Sequence, residues 1–291
     1  LCSFAELGLT QNDLRGAYAD GICSVCGEAD PNYKTAEGDV ELYITIANKG
    51  NVVMFQQKIS VVDVNHNGIF DVDDALYAAH EAGYTGGAAA GYATQITQYG
   101  LGISKLWGDT SMCYGYWLNN ASCWSLEDVV ADGNHLVAFV YTDGEFWSDS
   151  YSKFDAFAYT TTTAQDLVVK LEKAGYDENW NTVFSAHAGA TITVYDSEGK
   201  ALTTGYTVNY GLDGALDGAN IPIDGLGVAA GNYYIVASDS DPLTVPAVCQ
   251  VAVTYVEQVP PTGDNSMISL IVATMSVSML AVLCIGKKRV F

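Results

Sequence analysis

Gly189-Ala190-Thr191-Ile192-Thr193-Val194-Tyr195-Asp196-Ser197-Glu198-Gly199-Lys200-Ala201 reads as one strand, a turn and the start of the return strand. Ile192 and Val194 alternate with Thr191, Thr193 and Tyr195, the period-two pattern of a half-buried strand. Ser197 to Lys200 carries the turn, and 201–208 runs back. Residues 233–237 and 248–256 repeat the same β-rich texture. Short strands between Gly/Asp turns predict an Ig-like or prealbumin-like β-sandwich over 147–256. One exception is expected inside it: 164–175 reads as a helix, with Leu167, Val168 and Leu171 on one side.

The whole chain has 291 residues, room for two domains and more. It carries 34 acids against 12 Lys plus Arg, for a net charge of −22. No basic face is left to neutralise phosphates, which argues against nucleic acid as a partner and against docking of the folded part on anionic lipid. Apolar residues at 49% and aromatics at 11% are too many for a disordered acidic chain. The seven cysteines are scattered, unlike a disulfide-dense scaffold.

Upstream of the sandwich, 37–146 mixes strands and helix. Leu42, Ile44 and Ile46 alternate, Asn48 to Asn51 turns, and 52–62 returns. A helix is expected over 73–82 and stopped by Gly83, with a small-residue loop at Gly86 to Gly91. Three more strands are expected over 101–107, 114–119 and 136–141. Thr142-Asp143-Gly144-Glu145 is a hairpin signal.

The segment from Asp63 to Asp74 fits a twelve-residue calcium loop of the EF-hand type. Oxygen ligands fall at positions 1, 3, 5, 9 and 12: Asp63, Asn65, Asn67, Asp71 and Asp74. Ile69 at position 7 would give its carbonyl, and Gly68 at position 6 permits the sharp turn. An all-oxygen set selects Ca2+ over softer metals. Without a cation the carboxylates would repel one another. Position 12 is Asp, and a strand precedes the loop. Both features are similar to dockerin loops, of which a dockerin has two and this chain one.

The N-terminal segment 1–36 holds Cys23-Ser24-Val25-Cys26-Gly27, which resembles half of a zinc knuckle. Two thiolates at this spacing can grip Zn2+, while a redox-sensitive thiol pair is the other reading. The chain opens at Leu1 without a leader, so an upstream signal peptide or a fragment is expected. Cys113 and Cys123 flank 114–122. Hairpin geometry and export together predict a disulfide between them.

At the other end, Met267 to Ile285 is free of charge. As a helix it would span ~28 Å, close to the hydrocarbon core of a bilayer. Lys287-Lys288-Arg289 follows and places that end in the cytoplasm. Val259-Pro260-Pro261-Thr262-Gly263 stands just before the span. Together these resemble a sortase sorting signal of the LPxTG type, with Val for Leu at the first position. The resemblance implies cleavage after Thr262, attachment to peptidoglycan, and 257–291 as signal, transmembrane helix and tail.

Residues 39–143 resemble the transcobalamin-like C-terminal domain family of bacterial surface proteins. The resemblance is carried by 103–107, by Tyr114-Gly115-Tyr116-Trp117-Leu118-Asn119-Asn120, and by Asp132-Gly133 with the strand after it. It implies a small α+β, β-grasp-like domain, with the calcium loop and helix as its crossover. The sandwich in turn is broadly similar to stalk modules of surface proteins. Trp107, Tyr114, Tyr116, Trp117 and Trp124 could form a ligand platform for sugars or flat rings, with core packing as the plainer alternative.

A non-enzymatic, wall-anchored, calcium-binding surface protein is therefore expected, acting as a ligand-binding or adhesin-type module on an unidentified extracellular ligand. Capture of a corrinoid-like small molecule is the alternative. A wall-anchored hydrolase finds less support, because no G-x-S-x-G or H-E-x-x-H occurs.

Overall fold

The computed structural model describes residues 33–209, 218–227, 229–240 and 243–256, together with the backbone of 18–19 and 22–23. The segment Val259 to Gly263, expected to be a sorting signal, and the apolar run beyond it lie outside these residues. Among the described residues no helix is long and apolar enough to cross a membrane.

The fold is mostly β. Strands β1 (Val40–Asn48) and β2 (Asn51–Val61) form a hairpin around Lys49 and Gly50, both at positive φ. Helix α1 (Val72–Gly83) and the short α2 (Gly87–Gly91) follow. So the expected Gly86–Gly91 loop closes into one helical turn. After the ribbon β3 (Ala93–Thr97) and β4 (Gly100–Lys105) come β5 (Tyr114–Leu118), β6 (Ala121–Ser122) and β7 (His135–Val140).

The five-stranded sheet has the order β2-β1-β7-β5-β6. Its central pair, β1 and β7, is parallel, and the remaining neighbours are antiparallel. A parallel pair needs a crossover, and α1 lies on the way. Leu42, Ile44 and Ile46 of β1 meet Val72, Ala75, Leu76 and Ala79 of α1, all fully buried. The apolar spacing of α1 puts these four on one stripe, which is why the helix docks there.

Strands β8 (Ser152–Phe154), β9 (Ala158–Thr162), β10 (Leu167–Val169), β11 (Leu171–Tyr176) and β12 (Thr182–Ala186) open the second half. Next come β13 (Thr191–Asp196), β14 (Ala201–Thr207), β15 (Ala219–Ile221), β16 (Gly231–Ser238) and β17 (Ala247–Thr254). A sheet of order β9-β17-β16-β13-β14 presents one face to smaller sheets, β8-β11-β12 and β10-β15. Strand β17 alternates strictly, with Ala247, Cys249, Val251 and Val253 buried. These pack with Phe154, Leu167, Val169, Leu171 and Ile221 in a second core.

The helix expected over 164–175 is instead β10 and β11. Leu167, Val169 and Leu171 are buried at a period of two, and Val168 points outward. The alternation pairs Leu167 with Ile221, a partner 54 residues away that local spacing cannot reveal.

A third core joins the two halves. Ala47, Trp117 and Phe139 from the first meet Tyr151 and Val245 from the second.

Candidate metal centre

The loop leaves β2 and enters α1 as expected. His66 and Gly68 take positive φ, 56° and 87°. Gly68 is doubly constrained, because a Cβ there would lie 2.8 Å from Lys34 Cβ. Asp63 closes the turn: Oδ2 accepts from Gly68 N at 3.0 Å and Ala36 N at 2.8 Å, and Oδ1 from Asn67 N at 3.2 Å. Asn65 Oδ1 accepts from Asn67 N, and Asn67 Oδ1 from Ile69 N. Ile69 itself is exposed.

Asp71 and Asp74 form a capping box at the start of α1. Asp71 Oδ1 accepts from Asp74 N at 2.9 Å, while Asp74 Oδ1 reaches back to Val64 N and Asn65 N. Two amide donors then converge on Asp71 Oδ2: Asn65 Nδ2 at 3.2 Å and Asn67 Nδ2 at 2.7 Å. Backbone contacts from Val130 to Phe70, Val72 to Asp128 and Asp73 to Leu126 hold the exit of the loop in place.

Asp71, Asp73 and Asp74 are 0% exposed and Asp63 is 5% exposed. Burial pushes the Asp74 carboxyl up to about 8, aided by the Asp71 charge. Asp71 is raised too, chiefly by burial. Among the described residues no Lys, Arg or His is ion-paired with Asp63, Asp71 or Asp74. Nor do three His, Cys, Asp or Glu side chains there come together closely enough to hold a metal ion by themselves. Sequence reasoning missed Asp73 at loop position 11. Its Oδ1 accepts from Tyr92 OH at 2.7 Å, and its Oδ2 from Asn65 Nδ2. The consecutive acids Asp73-Asp74 were the available signal.

The other expected sites fare differently. Cys26 lies outside the described residues, and for Cys23 only the backbone is described, paired with Tyr18. The disulfide between Cys113 and Cys123 is a correction: both thiols are free. The register explains it. Cys123 N bonds to Tyr116 O, so Cys123 stands opposite Tyr116, three residues along the strand from Cys113. That is ~10 Å at ~3.3 Å per residue, beyond disulfide reach. Cys113 Sγ instead donates to Ser111 O and Gly144 O.

The five aromatics do not form one platform. Trp107 packs against His80 of α1 and Tyr84 just beyond it, and its backbone N–H donates to His80 Nε2 at 2.9 Å. Trp124 stands 96% exposed. Trp117 is buried, stacked on Tyr151 at 4.1 Å and 2°. Tyr114 donates to Asp109 O, and burial raises the Tyr116 hydroxyl to about 12. Tyr114, Tyr116 and Trp117 border a cleft, together with Tyr141, Trp147, Tyr151 and Tyr176, which the sequence did not single out.

No protein-family model matches the chain, and no curated protein matches it either.

Proposed function

We propose that the chain is a calcium-binding surface protein, a ligand-binding module held at the cell wall. In finer terms, the first half is a β-grasp-like domain and the second an Ig-like or prealbumin-like sandwich. The observation that carries the reading is the convergence of Asn65 and Asn67 on Asp71 Oδ2, beside fully buried Asp74, in a loop turned by Gly68. Buried carboxylates need a counter-charge. Each Asn amide there offers an oxygen as well as a nitrogen, and a cation at Asp71 would take the place of the two amide donors. The donor set is hard oxygen throughout, which suits Ca2+. Its role is structural: it ties β2 to α1 under extracellular calcium. Anchoring rests on Val259 to Gly263, with sortase as the partner that joins Thr262 to peptidoglycan.

Calorimetry of the chain with calcium and with chelator tests the metal. A ligand of the folded state at a hundredfold excess over Kd adds ~2.7 kcal/mol. For a cooperative unit of this size that is a rise of roughly 5–10 °C in Tm. Magnesium should give much less, because it demands octahedral geometry. Superimposable melting curves with calcium and chelator refute the site. Thr262→Ala should leave the protein out of the covalent wall fraction, and its presence there refutes the anchor.

A further inference from the structure

Against the outer face of the first sheet lies a cleft of about 350 Å³, a size suited to a small ligand. Its floor is β5 at Gly115, where a Cβ would lie 2.3 Å from Phe139 Cζ. On one side Tyr141 and Trp147 lie nearly parallel, with centroids 6.2 Å apart at 22°. Tyr176 of β11 also lines the cleft. Trp147 is 59% exposed and Tyr176 60% exposed. Trp180, 82% exposed, continues the surface 6.2 Å from Tyr176. A run of water-facing aromatic rings at the mouth of a concave site marks a binding surface.

The polar groups narrow the ligand class. Ser122, Ser148 and Ser150 are among the lining residues, and the Ser148 hydroxyl donates to Asp143 Oδ2 at 2.6 Å. Asp149 is buried, with its two carboxylate oxygens accepting Thr142 N at 2.9 Å and Asp143 N at 3.0 Å. Tyr141 keeps its proton, because burial, Tyr176 and Asp149 all raise its pKa, so it remains a donor. Among the described residues no Lys, Arg or His lines the cleft, which leaves a phosphate or carboxylate ligand without a counter-charge there. Flat rings beside hydroxyls match a pyranose, whose C–H face packs on an aromatic ring while its hydroxyl edge hydrogen-bonds.

We propose that this cleft binds a neutral pyranose glycan, with Trp147 and Tyr176 as the stacking faces. The proposal deepens the ligand-binding reading and is independent of the calcium loop.

The test uses the full chain, tryptophan fluorescence and titration calorimetry. The probes are cellobiose, maltose, lactose and N,N′-diacetylchitobiose, with sialyllactose and choline as charged controls. At least one neutral disaccharide should saturate below ~10 mM. Trp147→Ala and Tyr176→Ala should each weaken it about tenfold or more with Tm unchanged, since both side chains are largely exposed. Trp124→Ala, not among the residues that line the cleft, should bind as the parent does. The proposal is overturned if no neutral disaccharide saturates, if only choline or sialyllactose binds, or if the two cleft variants bind normally. A chain that ignores saccharides yet still gains Tm from calcium overturns this proposal alone.

Discussion

Asp74 shows how one side chain can serve the fold and burden it. Its Oδ1 holds the N–H groups of Val64 and Asn65, and its position in the first turn of α1 suits a negative charge. Yet it is fully buried beside Asp71, which makes the ionised pair costly without a cation. Asp74→Asn keeps an acceptor oxygen and removes the charge. In chelator the variant should melt at or above the parent, and most of the calcium-induced rise should be gone. Asp63→Ala should behave differently. Asp63 accepts three backbone N–H groups, so its loss should cost about 1–3 kcal/mol even in chelator, as well as removing the calcium response. Paired calorimetric scans of both variants separate the two roles. Equal behaviour of the two in chelator would sink the distinction.

At the scale of elements, the sequence was legible wherever the deciding contacts were local. The loop from Asp63 to Asp74 could be read because its ligand candidates, its glycine and its capping box all fall within twelve residues. The hairpin of β13 and β14 is local too, and its alternation survives with two register shifts. Strands β10 and β11 were misread because Leu167, Val168 and Leu171 fit a helical face as well as a strand, and Ile221 decided it from far away. The cleft was legible only in part: Tyr114, Tyr116 and Trp117 were expected in a ligand platform and border it, whereas Gly115, Tyr141, Trp147 and Tyr176 join them only through sheet register and the packing of the two halves. Gly115 shows how tight that register is. In β5 it passes under the buried ring of Phe139, its partner on β7. Gly115→Ala should therefore overpack the site and lower stability by about 1–3 kcal/mol in urea titration. A neutral effect would mean that the ring can move aside.

Across the whole molecule, the join between the halves is built from one strained residue and one half-buried histidine. Gln56 takes a positive φ of 40° within β2, close to a register shift of the β1–β2 ladder. Its amide then reaches the second half: Nε2 donates to Phe157 O at 2.7 Å, and Oε1 accepts from Gln250 N at 2.8 Å. With the core of Trp117, Phe139, Tyr151 and Val245 beside it, the described residues should unfold in one calorimetric transition. Trp117→Ala, at a cost of about 3–5 kcal/mol, should split that transition in two. His135 lies between the rings of Tyr43 and Phe157, at 4.8 and 4.0 Å. Gln56 Nε2 also donates to its Nδ1 at 3.0 Å, which requires the neutral ring. Burial lowers the pKa of His135 to about 4. Because the folded value lies below the unfolded ~6.5, this stabilisation is present above pH 6.5 and is lost as pH falls toward 4. His80, fully buried and likewise lowered to about 4, adds a loss of the same sign, so the parent curve alone cannot isolate His135. His135→Gln does so by difference. The variant should be less stable than the parent at pH 7, having lost the stacked ring, and the gap should close by pH 4.5. Parallel stability curves for parent and variant across that range would show that His135 does not titrate with unfolding.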